Sequence, residues 1–190
     1  ASIKEQDYEV FNRKDLLQIL NKYEIDNDIF NDFRNRMNEI QESVDSYKIL
    51  PLDKWQWNSW IGFYMGLQQI LKDGSWGYVA NQRGGFLGFW WNFIEKDGIT
   101  MHLQIETEQG QGSVGDEIVF NRGKLCFKIR VDDESKRTDY RWKLYSYILE
   151  ESKKHNILVK KPDRFGKGLY MTGAVIDIEF RKNNQGIIDM

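Results

Sequence analysis

Two alternating runs hold the residue types that could do chemistry. In the first the polar positions are His102, Gln104 and Glu106, and in the second they are Lys124, Cys126, Lys128 and Arg130. A β-strand sends alternate side chains to opposite faces, so each set falls on one face of a sheet. A carboxylate and a lysine on such a face are what a Mg2+-dependent phosphodiesterase needs: acidic oxygens hold the cation, and a lysine two residues from an acid steadies the attacking water and the scissile phosphate. Position 126 breaks that pattern, because a thiol is a poor ligand for a hard cation. Glu106, Cys126 and Lys128 thus form a degenerate set, with Glu106 and Lys128 expected as a cross-strand ion pair rather than a catalytic pair. No metal site and no cofactor are expected, Mg2+ entering only if the chain is an atypical nuclease using Glu106 and Lys128 with Glu108 or Asp116 as added ligands.

The other motifs are weaker. His102, His155 and Cys126 are the whole complement of His and Cys, too few for a zinc set, a Cys-His nucleophile pair or a Ser-His-Asp order. Gly110, Gly112 and Gly115 spell GxGxxG, but a strand-like run follows where a helix N-terminus would have to meet a pyrophosphate, so these glycines read as a hairpin loop. Lys153, Lys154, Lys160, Lys161, Arg164 and Lys167 cluster in one stretch, and Arg137, Arg141 and Lys143 open the preceding helix. Together they form the candidate phosphate-tracking surface, set against the plainer reading of a solvated face.

The charge is unevenly spread along the chain. Residues 1–119 carry 11 Lys and Arg against 19 Asp and Glu, net −8, and residues 120–190 carry 16 against 10, net +6. The 190 residues are 41% hydrophobic, with two Pro and one Cys, which excludes disorder, a collagenous repeat and a disulfide scaffold. No apolar run approaches the roughly 18 residues of a membrane span, and no signal-peptide pattern opens the sequence, so a cytoplasmic chain without a membrane partner is expected.

The positioning elements follow from periodicity. Leu16, Leu17, Leu20 and Tyr23 mark a short helix, and Phe30, Phe33, Met37, Ile40, Val44 and Tyr47 a long one, capped from Asp26, Asn27 or Asp28. Asp53 and Gln56 are expected as a capping box for a third helix, with Asp73-Gly74 closing it in a left-handed cap. Trp57 and Trp60 lie on that helix's apolar stripe, whereas Trp55 falls off it and is expected to stack or to face a partner.

Beyond Gly84-Gly85 the period becomes 2. Leu87, Phe89, Trp91 and Phe93 share a face of one strand, Met101, Leu103 and Ile105 of a second, joined at Lys96-Asp97-Gly98, and Leu125, Phe127, Ile129 and Val131 of a third. Ile118, Val119 and Phe120 suggest a short extra strand, then a helix spans 135–154 and a last strand 169–180. The class is α+β: N-terminal helices, then a mixed, largely antiparallel sheet with a late helix, in the order helix, three strands, helix, strand. Residues 1–50 are expected as a helical hairpin and 51–190 as an α+β domain, packed together as one globular unit.

Four strings, SYKILPLDKWQWNSWIGFY, GYVANQRGGFLGFWW, KLCFKI and PDRFGKGLYMTGAV, resemble the C-terminal half of a bacterial family in the PD-(D/E)XK nuclease superfamily, across residues 30–175. In that family the nuclease half comes first and carries its own acidic and E-x-K motifs. The resemblance therefore implies association with a nuclease domain, in cis or in trans, and supplies no active-site residues here. The superfamily's catalytic core also runs helix, three strands, helix, strand, with an acid on strand two and (D/E)-x-K on strand three. Glu106 and Cys126-Phe127-Lys128 fall at those places, consistent with a decayed duplicate of the core.

The expected function is that of a noncatalytic accessory domain of a PD-(D/E)XK nuclease-like protein, binding or positioning nucleic acid through the basic C-terminal part, with Trp55 or Trp90 as stacking candidates. The alternatives are the atypical Mg2+-dependent nuclease and a protein-interaction module docking through the acidic helical front. The oligomeric state, and the choice of DNA or RNA, are left open by the sequence.

Overall fold

The computed structural model describes residues 12–82, 85–108, 113–114, 117–118, 122–163, 165 and 168–178. Helix α1 (Arg13–Leu20) starts at Asn12, whose side chain accepts from the Lys14 and Asp15 amides while the Asp15 carboxylate accepts from the Asn12 amide at 2.9 Å. Helix α2 (Asp28–Asp45) starts at Asn27, whose side chain accepts from the Phe30 amide at 3.0 Å. Its apolar stripe is only partly covered: Val44 is buried, while Phe33 stays exposed.

Pro51 ends the helical hairpin, and a 3-10 turn over Leu52–Lys54 leads into α3 (Trp57–Ile70). The predicted Asp53/Gln56 box is displaced by three residues: Gln56 is itself the cap, and its backbone amide donates to Ser59 Oγ at 3.1 Å. Trp55 also departs from expectation. Because it precedes the helix in extended backbone, the helical wheel does not apply, and it is 1% exposed, edge-on to Trp60, with its indole N–H on the Leu50 carbonyl. It is core and not a stacking residue.

Strands β1 (Ser75–Val79), β2 (Phe86–Lys96) and β3 (Ile99–Glu108) follow, then a small pair, β4 (Ser113–Val114) and β5 (Glu117–Ile118), and then β6 (Arg122–Val131), α4 (Arg137–Lys154) and β7 (Tyr170–Ile178). The sheet order is β1-β2-β3-β6-β7, with each of these pairings antiparallel. The α+β class and the order of elements are those the sequence suggests, with β1 added in front. Asp97 and Gly98, both at positive φ, make the two-residue turn between β2 and β3. Gly74 is not a left-handed cap. Its role is close approach, since a Cβ there would lie 2.4 Å from the Phe89 ring.

Phe93 leaves the face of Leu87, Phe89 and Trp91, because a register irregularity between Trp91 and Ile94, with Asn92 at φ 57°, turns the strand over. It stacks on His102 instead, with ring centroids 4.8 Å apart. The core forms on the opposite face. Trp60 and Tyr64 of α3 pack with Leu87, Phe89 and Ile105, while α4 covers Ile129, Val131 and Ala174 through Tyr140, Leu144 and Ile148. Both helices therefore cover the same side of the sheet, and none of the described helices covers the face that carries Glu106 and Lys128. Among the described residues no helix is long and apolar enough to cross a membrane.

Candidate functional site

Cross-strand register builds the site on the uncovered face. Glu106 lies opposite Lys124, Gln104 opposite Cys126, and His102 opposite Lys128; on the far side of β6, Lys124 faces Asp177, Cys126 faces Val175 and Lys128 faces Thr172. The ion pairs do not follow these nearest neighbours. Lys124 pairs with Glu108, and Lys128 reaches back along the sheet to Glu106 at 2.5 Å while also donating to Thr172 Oγ1 at 2.9 Å. Gln104 Nε2 adds a 3.0 Å hydrogen bond to Glu106 Oε1. The Glu106–Lys128 contact thus passes across Cys126, which is 2% exposed.

These contacts fix the electrostatics. Burial, reinforced by the Glu106 carboxylate, pushes the Cys126 thiol up to about 12, so it stays neutral and un-nucleophilic at physiological pH. Burial lowers His102, with Lys128 acting in the same direction and a hydrogen bond to Gln104 opposing both. Burial opposes the charge on Lys124, yet Glu108, Asp177 and Asp163 together raise its pKa. This donor set does not suit Mg2+: at its centre are a neutral thiol and a carboxylate already committed to Lys128 and Gln104. Asp116, the other candidate ligand, lies outside the described residues.

A cleft of about 1010 Å3 opens along this face and round the β7 edge. Glu106, Glu108, Asp163 and Asp177 supply its carboxylates, and Arg122, Lys124, Arg141, Lys160 and Lys161 its cations. The segment after α4 forms one wall: Lys160 pairs with Asp177, and its backbone bridges Val175 through bonds of 2.8 and 3.0 Å. Lys161 holds its ammonium 4.9 Å over Trp142 and 5.4 Å over Phe165. Among the described residues, Arg122 and Lys161 have no ion-pair partner.

The basic set predicted from sequence is thereby divided. Lys160 and Lys161 line the cleft, whereas Lys153 and Lys154 sit on the exposed end of α4, with Lys154 paired to Glu151 at 2.6 Å. Arg137 is drawn inward, its Nε donating to the Val131 carbonyl at 3.0 Å. Arg141 is 3% exposed, donates to the Thr172 carbonyl at 2.7 Å and packs its guanidinium 4.1 Å from the Phe165 ring centroid. Its principal role is in packing, the reverse of a surface phosphate contact. Arg164, Lys167 and the GxGxxG glycines lie outside the described residues. Sequence reasoning passed over Arg122, Asp163, Asp177 and Tyr170. The alternation along β7 pointed to Asp177, but a register shift beside Gly173 breaks its phase.

Among the described residues no group of three or more His, Cys, Asp and Glu side chains is gathered as a metal site. Comparison of the chain with protein-family models, with curated proteins and with solved structures finds no match.

Proposed function

We propose that the chain is a nucleic-acid-binding accessory domain of a PD-(D/E)XK-type nuclease, which positions nucleic acid along the uncovered sheet face without cutting it. The observation that carries this reading is the gathering of Arg122 and Lys124 from β6 with Lys160 and Lys161 from the segment after α4 on one concave surface. Phosphate oxygens are met by such cations, and affinity then comes largely from released counterions. Glu108 and Asp177 pre-orient Lys124 and Lys160, so a phosphate enters by exchange with a carboxylate. That arrangement favours modest affinity with a steep salt dependence.

The superfamily association rests on the four sequence strings and on the placement of Glu106 and Lys128 on neighbouring strands. That placement also favours a second reading, the atypical nuclease, since the two side chains meet at 2.5 Å. Against it stand the cysteine at 126 and the commitment of the Glu106 carboxylate.

The test is fluorescence anisotropy with labelled single- and double-stranded DNA at 50 and 200 mM salt, with Mg2+ and then with EDTA, the same samples being run on a gel. Four phosphate contacts on a single strand give a loss of about 50-fold in affinity over that salt range. Salt-sensitive binding with intact DNA supports the accessory reading. EDTA-sensitive cleavage replaces it with the nuclease, and no binding at either salt overturns both and leaves a protein-interaction module.

A further inference from the structure

We infer that the nucleic acid this cleft takes is single-stranded, with Tyr170 as the platform on which an unpaired base stacks; the inference rests on the nucleic-acid reading above and specifies its substrate class. Tyr170 opens β7 at the cleft and is 65% exposed, a large aromatic surface left in water. The Arg130 guanidinium lies 5.6 Å from its ring centroid, and Arg130 is itself held by Asp132 at 3.0 Å. The ring thus has a cationic neighbour beside it, which adds a favourable contact to a stacked base.

The rest of the cleft suits a strand better than a duplex. Its cations line a cleft of about 1010 Å3, just above the roughly 300–1,000 Å3 range of sites that enclose a small ligand. A duplex is read by a helix or a β-ribbon entering its major groove, or gripped by cations on a projecting surface. Here Arg122, Lys160 and Lys161 are exposed along a cleft, Lys124 is half-buried, and carboxylates are interspersed among them, so the cations do not form one continuous face for a duplex backbone. An unpaired strand can enter the cleft, lay its phosphates along Lys161 and Arg122, and turn a base onto Tyr170. Trp142, half exposed and already in contact with Lys161 at 4.9 Å, gives a second aromatic surface beside the same cation. An electropositive channel with adjacent aromatic rings is the general arrangement for sequence-tolerant single-strand binding.

The experiment titrates labelled dT12, rU12 and a 12-base-pair duplex against the intact chain and against Tyr170→Ala, Tyr170→Phe and Lys161→Ala. The expected result is binding of both single strands at least about tenfold tighter than the duplex at equal salt. Tyr170→Ala should weaken the dT12 complex about fivefold or more without changing its salt slope, because a stacking contact releases no counterion. Tyr170→Phe keeps the ring and should stay within about twofold of the parent, whereas Lys161→Ala should flatten the slope by about 0.7. Equal or tighter duplex binding overturns the single-strand inference and leaves the nucleic-acid reading standing. Single-strand preference with Tyr170→Ala unaffected overturns the stacking assignment. Binding of none of the probes overturns both.

Discussion

Replacing Glu106 by Gln separates the two chemical readings of the sheet face most sharply. The side chains of Glu106 and Lys128 retain 21% and 20% of their exposure, between the solvent-exposed pairs worth about 0–1 kcal/mol and the fully buried pairs whose rupture costs about 3–5 kcal/mol. Gln keeps an acceptor for Lys128 and for Gln104, and Lys128 retains Thr172. The expected cost is therefore about 1–2 kcal/mol, or a melting temperature lower by about 2–8 °C for a chain of this size. The same change removes one of the cleft carboxylates and releases Lys128 toward an incoming phosphate. Single-strand binding should tighten about fivefold at 0.1 M salt, with the salt slope steeper by about 0.7. Thermal denaturation and anisotropy over a salt series measure both effects, and Lys128→Met with the double variant isolates the coupling. A melting temperature within a degree of the parent, or weaker nucleic-acid binding, would refute the reasoning. EDTA-sensitive cleavage in the parent that vanishes in Glu106→Gln would establish the nuclease instead.

Four further outcomes are expected. Gly74→Ala forces a Cβ to 2.4 Å from the Phe89 ring and 2.8 Å from the Leu71 carbonyl, and should cost about 1–3 kcal/mol, read as a lower urea midpoint at unchanged m-value. Trp55→Ala removes a buried indole and its hydrogen bond to the Leu50 carbonyl, at about 3–5 kcal/mol by the same assay; a change under 1 kcal/mol would mean that Trp55 is not core. His102 is held below its ordinary value of 6.5 by burial, with Lys128 adding repulsion. The unfolded chain then takes up this proton first, so stability falls as pH drops through 6.5 toward the folded pKa, and His102→Gln should flatten the Tm profile between pH 7 and 5. The Cys126 thiol, pushed up to about 12, should resist iodoacetamide at pH 8 until denaturant is added, whereas fast native-state alkylation would contradict its burial.

What the sequence makes legible depends on how local the cause is. The cap at Asn27 and the Asp97-Gly98 turn are set by neighbouring residues and can be read directly, whereas the cap at Asn12 was passed over. Strand β1 has only five residues, Ser75–Val79, at the sheet edge, too short for its alternation to stand out. Phe93 changes face because Asn92 adopts positive φ, a backbone event that an unbroken period of 2 conceals. Trp55 is buried by chain that has not yet become helix, where helical spacing has no meaning. The Glu106–Lys128 pair was foreseen because alternation alone places both residues on one face. The pairings of Lys124 with Glu108 and of Lys160 with Asp177 were not, since they depend on how β3 and β6 register across the 109–121 connection and on where the chain returns after α4.

The division of charge along the chain has a different meaning in three dimensions. Read linearly, a net charge of −8 over residues 1–119 and +6 over 120–190 suggests an acidic surface and a separate basic one. The cleft instead takes carboxylates from both parts, Glu106 and Glu108 from the first and Asp163 and Asp177 from the second, while all its cations come from the second. Helix α4 turns Arg137 onto the Val131 carbonyl and, although Arg141 borders the cleft, holds its guanidinium buried on the Thr172 carbonyl. What is left is a mixed set: Lys124 and Lys160, held by acids that a phosphate must displace, and Arg122 and Lys161, which have no ion-pair partner among the described residues. A bare lysine patch binds any polyanion by attraction alone. A cleft of this kind repels at its carboxylates whatever does not reach its lysines, so on the proposed nucleic-acid reading it would discriminate by the path of the phosphates. On that reading the path would run along the cleft between β6 and the segment after α4, where an unpaired strand could follow it.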